Sequence, residues 1–278
     1  MVQGRLKAPS ARPIAAGGDW RVTEFICDAG PDDRPFEERH DCVTIAAVLS
    51  GSFKYRTHSG DSLMHPGGLV LGEAGRCYEC GHEHGRGDRC ISFGVSPAYF
   101  DEIAHGAVGA TGFSFAIPSL PAAAGLLPLT ARIATLDKSD ALAVEEMVVR
   151  VAFAAAAAAA GKTPNRIGIS TGDEKRITGA MRYIEAHSTD AIDIDRLAAI
   201  ASLSKFHFLR VFTRVAGVSP YRYLINARLM RAAAEIAANQ RRISDIAYEA
   251  GFGDLSTFNA QFRAAFGVSP SAWRRCEG

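Results

Sequence analysis

Long hydrophobic runs are missing from this sequence. Its longest charge-free apolar stretch near the middle, Val151 to Ala160, falls far short of the roughly 20 residues a membrane helix requires. The opening MVQGRLKAPSARP is basic and has little apolar content, so nothing marks it for secretion and a cytoplasmic protein is expected. Neither sign of charge dominates, with a formal net of +1. Disorder and collagen-like repeats are excluded, because 47% of residues are hydrophobic and only 22% charged. The 278 residues are enough for one large domain or two ordinary ones.

The near-neutral average conceals a division. Residues 1–164 carry 15 Lys+Arg against 19 Asp+Glu, a net of −4, and residues 165–278 carry 16 against 11, a net of +5. Contact with a polyanion is therefore expected from the C-terminal half alone.

Between Cys42 and Phe93, short β-branched and aromatic runs (Val43–Leu49, Phe53–Thr57, Gly68–Leu71, Cys90–Val95) alternate with turns at Ser50–Gly51, Ser59–Gly60 and Pro66–Gly68. A further strand fits Trp20–Ile26. Even spacing of this kind predicts an antiparallel sandwich or barrel. Beyond Pro121 the pattern turns helical, and Asp140–Ala160 ends in seven consecutive alanines, the residue with the best helix propensity. That helix could pair across a dimer, or simply cover one face of the sheet. Gly161 stops it, and residues 161–173 form a linker at the point where charge reverses. The expected division is thus residues 1–160, 161–173 and 174–278.

The basic half repeats itself. Gly217-Val-Ser-Pro220 recurs as Gly267-Val-Ser-Pro270, and Phe208 and Phe212 match Phe258 and Phe262 at the same offset of 50. Leu197-Ala198 matches Ile246-Ala247 at an offset of 49, so one turn is a residue longer. Each unit predicts a helix, a tight turn and a second helix, the second capped by Ser204 or by Asp254. Phe208, Val211, Phe212 and Val215 share one buried stripe, as do Phe258, Phe262, Ala265 and Phe266. Lys205, His207, Arg210 and Arg214 are then turned outward in the first unit, and Ser256, Thr257, Asn259 and Arg263 in the second. Helix-turn-helix elements place such a second helix in the major groove of duplex DNA, while nearby arginines hold phosphates. A helix over about Tyr221–Ala238 joins the two units.

Residues 174–275 resemble the DNA-binding domain of the AraC/XylS family of bacterial transcription regulators. The likeness rests on GFGDLSTFNAQFRAAFGVSPSAWR (Gly251–Arg274) and on LAAIASLSKFHFLRVFTRVAGVSP (Leu197–Pro220). It implies that Lys205, Phe206, Leu209 and Arg210 enter the groove from the first unit, and Ser256, Thr257, Asn259 and position 260 from the second. Ala260 stands where the family usually has Arg, and a bidentate arginine–guanine contact supplies roughly 1–3 kcal/mol of discrimination. The first unit is therefore expected to carry more of the specificity. The DNA-contacting set is Ser204, Lys205, Phe206, His207, Leu209, Arg210, Arg214, Ser256, Thr257, Asn259 and Arg263. The family resemblance also implies an effector-sensing, dimerising N-terminal domain, often a cupin-like β-barrel, and Gly60-x5-Pro66-Gly67 resembles a cupin turn.

Six cysteines are unevenly placed, and Cys77, Cys80 and Cys90 stand beside His82 and His84. In a cytoplasmic chain such clustering points to metal or redox chemistry rather than disulfides. An extended Arg76–His84 puts Tyr78, Cys80, His82 and His84 on one face and Cys77 and Glu79 on the other. A following antiparallel strand would bring Cys90 alongside. His82-x-His84-x3-Asp88 also resembles the metal-binding run of cupins. Cys80, His82, His84 and Cys90 are the candidate ligands, with Cys77 and Asp88 as alternates, and zinc suits two imidazoles with thiolates. An effector pocket without metal, buried apolar thiols, and a Cys77–Cys80 redox pair are the competing explanations. His40, His58 and His65 are expected at the surface or in turns.

The expected protein is α+β: a cupin-like β-barrel sensor with flanking helices, then an all-α domain with two helix-turn-helix elements. Its expected role is a non-enzymatic transcription regulator, in the commoner family role an activator. Its partners would be promoter DNA, a small-molecule or metal effector, RNA polymerase and a second copy of itself. A metal-dependent cupin-type enzyme with an accessory helical domain, and a constitutive DNA binder without effector, are the alternatives.

Overall fold

The computed structural model describes residues 8–83, 85–162 and 170–277. It divides into two compact units, one of Met1–Pro121 with Leu136–Gly168, the other of Ala122–Thr135 with Ile169–Gly278. Among the described residues no helix is long and apolar enough to cross a membrane.

The first unit is built on strands β1 (Ser10–Ala16), β2 (Trp20–Cys27), β3 (Phe36–Arg39), β4 (Val43–Gly51), β5 (Phe53–Thr57), β6 (Gly60–Met64), β7 (Leu69–Gly72), β8 (Cys77–Gly81), β9 (Asp88–Val95) and β10 (Ser119–Leu120). They form two antiparallel sheets, one in the order β1-β2-β9-β4-β7-β10 and one in the order β3-β8-β5-β6. The expected cupin-like barrel is thus not what the pairing makes: among the described residues the two sheets are separate and neither closes on itself.

β9 also departs from expectation, since it does not pair with β8. Residues Cys90 to Val95 are buried without interruption, so this strand needs cover on both faces and both edges. It finds that cover by inserting between β2 and β4 in the larger sheet. Along β4 and β9, Ile45, Ala47, Ile91 and Phe93 are fully buried on one face, while Thr44, Ala46, Cys90 and Ser92 on the other line an interior cavity. Among the described residues two helices complete the unit, α1 (Pro97–Val108) and α3 (Ala141–Ala159), packed on each other, and α3 also lies against β2, β4 and β9. The alanine run of α3 therefore covers a sheet. Leu142 and Phe153 remain exposed on it.

The second unit is helical: α2 (Leu127–Thr135), α4 (Thr171–Ala186), α5 (Ile194–Ile200), α6 (Lys205–Ala216), α7 (Pro220–Ala238), α8 (Ile243–Glu249), α9 (Leu255–Phe266) and α10 (Pro270–Glu277). Most of the expected linker lies outside the described residues, and α4 already begins at Thr171. Leu127 and Ala131 of α2 join Leu229, Ala233, Phe258, Phe262 and Trp273 in one core, with the Arg132 guanidinium 5.5 Å from the Trp273 ring centroid. A contiguous boundary at residue 160 does not describe this arrangement, because α2 precedes that boundary and packs beyond it.

Candidate nucleic-acid interface and interior cavity

Each helix-turn-helix is set by a short turn between a seven-residue and a twelve-residue helix. In the first, Leu203 N–H donates to Ala198 O (3.0 Å), and in the second Phe252 N–H donates to Ala247 O (3.1 Å). Ser202 and Gly251 occupy the same place in these turns, both at positive φ (52° and 94°). The register slips at Gly253, the additional residue between Phe252 and the Asp254 cap. Asp254 accepts the Thr257 N–H at 2.7 Å. Ser204 holds the N-cap position of α6, but its side chain makes no capping bond, contrary to expectation.

Apolar periodicity then orients both second helices. Phe208 and Phe212 are fully buried, as are Phe258 and Phe262, and Phe262 stacks on Phe266 at 4.3 Å. Val215, expected in the first stripe, is only half-buried. On the opposite side, Ser204, Lys205, Phe206, Leu209, Arg210 and Arg214 are exposed and His207 is partly so. Ser256, Thr257, Asn259 and Arg263 are exposed on α9, with Ala260 among them. Phe206 is 87% exposed, an aromatic ring left open to solvent among the described residues. Lys205 Nζ lies 2.7 Å from Asp195, and Arg210 contacts His207 Nδ1 at 3.3 Å. Arg228 of α7 is used within the fold. Its guanidinium donates to Ser188 O and Asp190 O (2.6 and 2.8 Å), bracing the loop after α4.

In the first unit a cavity of about 520 Å³ is lined from both sheets. Phe25, Phe53, Tyr55 and Tyr78 supply its aromatic wall, and Cys27, Cys80, His82, Asp88 and Cys90 a polar one. His82 Nε2 lies 2.6 Å from Asp88 Oδ2, and Cys90 Sγ donates to Asp88 Oδ1 at 3.3 Å. Burial pushes the Cys80 and Cys90 thiols well up, and the Asp88 charge adds to both shifts. The strand alternation read from sequence thus brings Cys80, His82 and Cys90 to one cavity together with the alternate Asp88. Cys77 is exposed on the other face of β8, and His84 lies outside the described residues.

Cys27 is the member that sequence reasoning missed. Its Sγ, a His82 ring nitrogen and an Asp88 oxygen all lie within 4.8 Å of one another. The alternation of Thr23, Phe25 and Cys27 along β2 was a signal, but only the pairing of Cys27 with Asp88 gives it meaning. No disulfide joins the five cysteines with described side chains. One histidine assignment needs correction. His40 is buried rather than at the surface or in a turn, its Nε2 2.8 Å from the Tyr55 hydroxyl, because Gly72 leaves room for the ring against Tyr55 and Tyr78. His65 is buried too, but it opens the turn at residues 65–68, one of its two expected places.

Residues 197–276 match a family described as a helix-turn-helix domain. The chain is 33% identical over 92 residues to the probable transcriptional regulator LumQ of Photobacterium leiognathi, covering 33% of this chain and 37% of that one. It is 30% identical over 98 residues to the HTH-type transcriptional activator AarP of Providencia stuartii, covering 35% of this chain and 73% of that one. A solved structure, described as a probable AraC family transcriptional regulator from Rhodopseudomonas palustris CGA009, is 27% identical. It covers 37% of this chain and 96% of its own, with a TM-score of 0.35. The match spans about a third of the length of LumQ and of the next two curated relatives. The fold, the exposed faces of α6 and α9 and these likenesses together define the second unit as a helix-turn-helix domain of the DNA-binding type. The chain belongs to the AraC/XylS family.

Proposed function

We propose that this protein is a sequence-specific transcription activator. Its two helix-turn-helix elements read successive major-groove segments, and its sheet unit senses a small molecule or a metal ion in the interior cavity. The observation that carries the DNA-reading half is the shared orientation of α6 and α9. Their phenylalanines are buried at matching offsets, which leaves two equivalent outward faces. Phe206 and Leu209 suit apolar contact with thymine methyl groups, and Arg210 suits guanine. The sensing half is supported by a cavity in the size range of small-molecule sites, lined by aromatic rings together with charged and polar side chains such as Arg21, Glu38 and His82. The protein acts in the cytoplasm as a homodimer that contacts RNA polymerase, and it has no enzymatic role.

Selection from a randomised duplex pool with the full-length protein tests this reading. The expected product is a motif with two blocks about one helical turn, roughly 10 base pairs, apart. Absence of any enriched motif overturns it. On the selected duplex, Arg210→Ala should lose more specific affinity than Asn259→Ala, because Ala260 stands where an arginine could have read guanine; equal losses refute the asymmetry. Affinity that stays constant across an effector panel overturns the sensing half and leaves a constitutive binder.

A further inference from the structure

We propose that Cys27, His82 and Asp88 form a site for a borderline divalent metal ion of the zinc type, with one coordination position open to the cavity. Any consequence of the ion for DNA binding rests on the sensing proposal above; the site itself does not.

Cys27 is distant in sequence from His82 and Asp88, which stand six residues apart, and the fold brings all three together. Cys27 closes β2, His82 follows β8, and Asp88 opens β9. Cys27 and Asp88 are cross-strand partners, so their spacing is set by a continuous eight-pair ladder rather than by a loose loop. The three ligand atoms lie within 4.8 Å of one another. A tetrahedral ion with bonds of 2.0–2.3 Å needs its ligands about 3.5 Å apart, a difference that small side-chain rotations absorb.

The donor set selects the ion. A thiolate, a neutral imidazole and a carboxylate mix soft and hard character, which suits zinc and disfavours the all-oxygen shells of magnesium and calcium. Together they carry two negative charges, the complement of a divalent cation where unpaired charge is expensive. Cys90 has the supporting role: its S–H holds the second Asp88 oxygen and so orients the carboxylate toward His82. Three protein ligands leave a fourth place, and the cavity beside them can admit a water or a donor group from a small molecule. This arrangement keeps His82 of the ligand set expected from sequence, takes the alternate Asp88, and adds Cys27, which β2 places beside Asp88.

The test uses full-length protein, stripped with a chelator and titrated with cobalt(II), with zinc as competitor. One ion per chain is expected, with a thiolate-to-cobalt charge-transfer absorption that zinc removes. Cys27→Ser should abolish that absorption and Asp88→Asn should abolish stoichiometric binding, while Cys77→Ser, on the outer face of β8, should leave both intact. Cys90→Ala should weaken binding by about 10–100-fold, as loss of an outer partner does. Circular dichroism separates a lost site from a lost fold. No cobalt binding by the folded protein overturns the proposal, and so does an absorption that survives Cys27→Ser. If the ion binds as described but leaves affinity for the selected duplex unchanged, the site stands and the ion is not the effector, which leaves only the small-molecule form of the sensing reading.

Discussion

The His40 imidazole stacks on the Tyr78 ring, with centroids 4.1 Å apart, and meets the Tyr55 hydroxyl at 2.8 Å. Space for it comes from Gly72, where a Cβ would come within 2.4 Å of Nε2. Burial pulls the His40 pKa from 6.5 down to about 4, against a smaller opposing pull from Asp41. The neutral ring is therefore favoured in the fold. Its contribution is fully present above pH 6.5, and falls as pH drops toward 4, where the unfolded chain takes up a proton and the folded chain does not. The full loss amounts to about 3 kcal/mol. His40→Phe, which keeps a ring against Tyr78, should flatten the stability profile between pH 7 and 4. An NMR titration of the His40 ring should give a midpoint near 4; a midpoint near 6.5 contradicts this account.

At the scale of elements, the two helix-turn-helix turns are the same object built with different residues. A positive φ costs an ordinary residue roughly 1–2 kcal/mol, which Ser202 bears and Gly251 avoids. Gly251 has a second reason to lack a side chain: a Cβ there would lie 2.9 Å from Ser188 O, from the Thr189 Cα and from the Arg228 Nε. Gly251→Ala should accordingly destabilise the helical unit by about 2 kcal/mol or more, whereas Ser202→Ala should change it by less than about 0.5 kcal/mol. Urea unfolding followed by Trp273 fluorescence in a Trp20→Phe background makes the comparison. Equal effects would mean that neither the positive φ nor the close contact at Gly251 carries energy. These elements were legible in the sequence because their instructions are local. Glycine and aspartate mark the turns, and phenylalanines at helical spacing mark the buried face. The one-residue slip between the repeats was legible too, although its place at Gly253 was not.

At the scale of the whole molecule, the chain passes from the first unit to the second at Pro121, back at Leu136, and over again after Gly168. Helix α2 thus belongs to the helical core although it stands well before the charge reversal. Leu127 is 1% exposed there, and its truncation opens a cavity beside an aromatic cluster. Leu127→Ala should lower the stability of the helical unit by about 2–5 kcal/mol. The same Trp273 fluorescence transition reports it, and an unmoved midpoint would show that α2 contributes nothing to that core. A fragment beginning at Asp173 lacks this helix, so it should be less stable than the same unit within the full chain.

The sequence by itself determined the class of this protein: a helical, basic half with duplicated helix-turn-helix elements, preceded by antiparallel strands. Helix periods, caps and turn residues act over a few positions, and their energies are set before distant segments meet. The common side taken by Cys80 of β8 and by His82 just beyond it was settled in the same way, by alternation. Only the tertiary structure decided that two open sheets form instead of a closed barrel, that β9 joins β2 and β4 rather than β8, and that Cys27 faces Asp88. It alone assigned α2 to the helical core and drew His40 inside. Those outcomes depend on which strand best covers the edges and faces of another, a choice made among segments far apart along the chain and settled by the apolar surface each pairing buries.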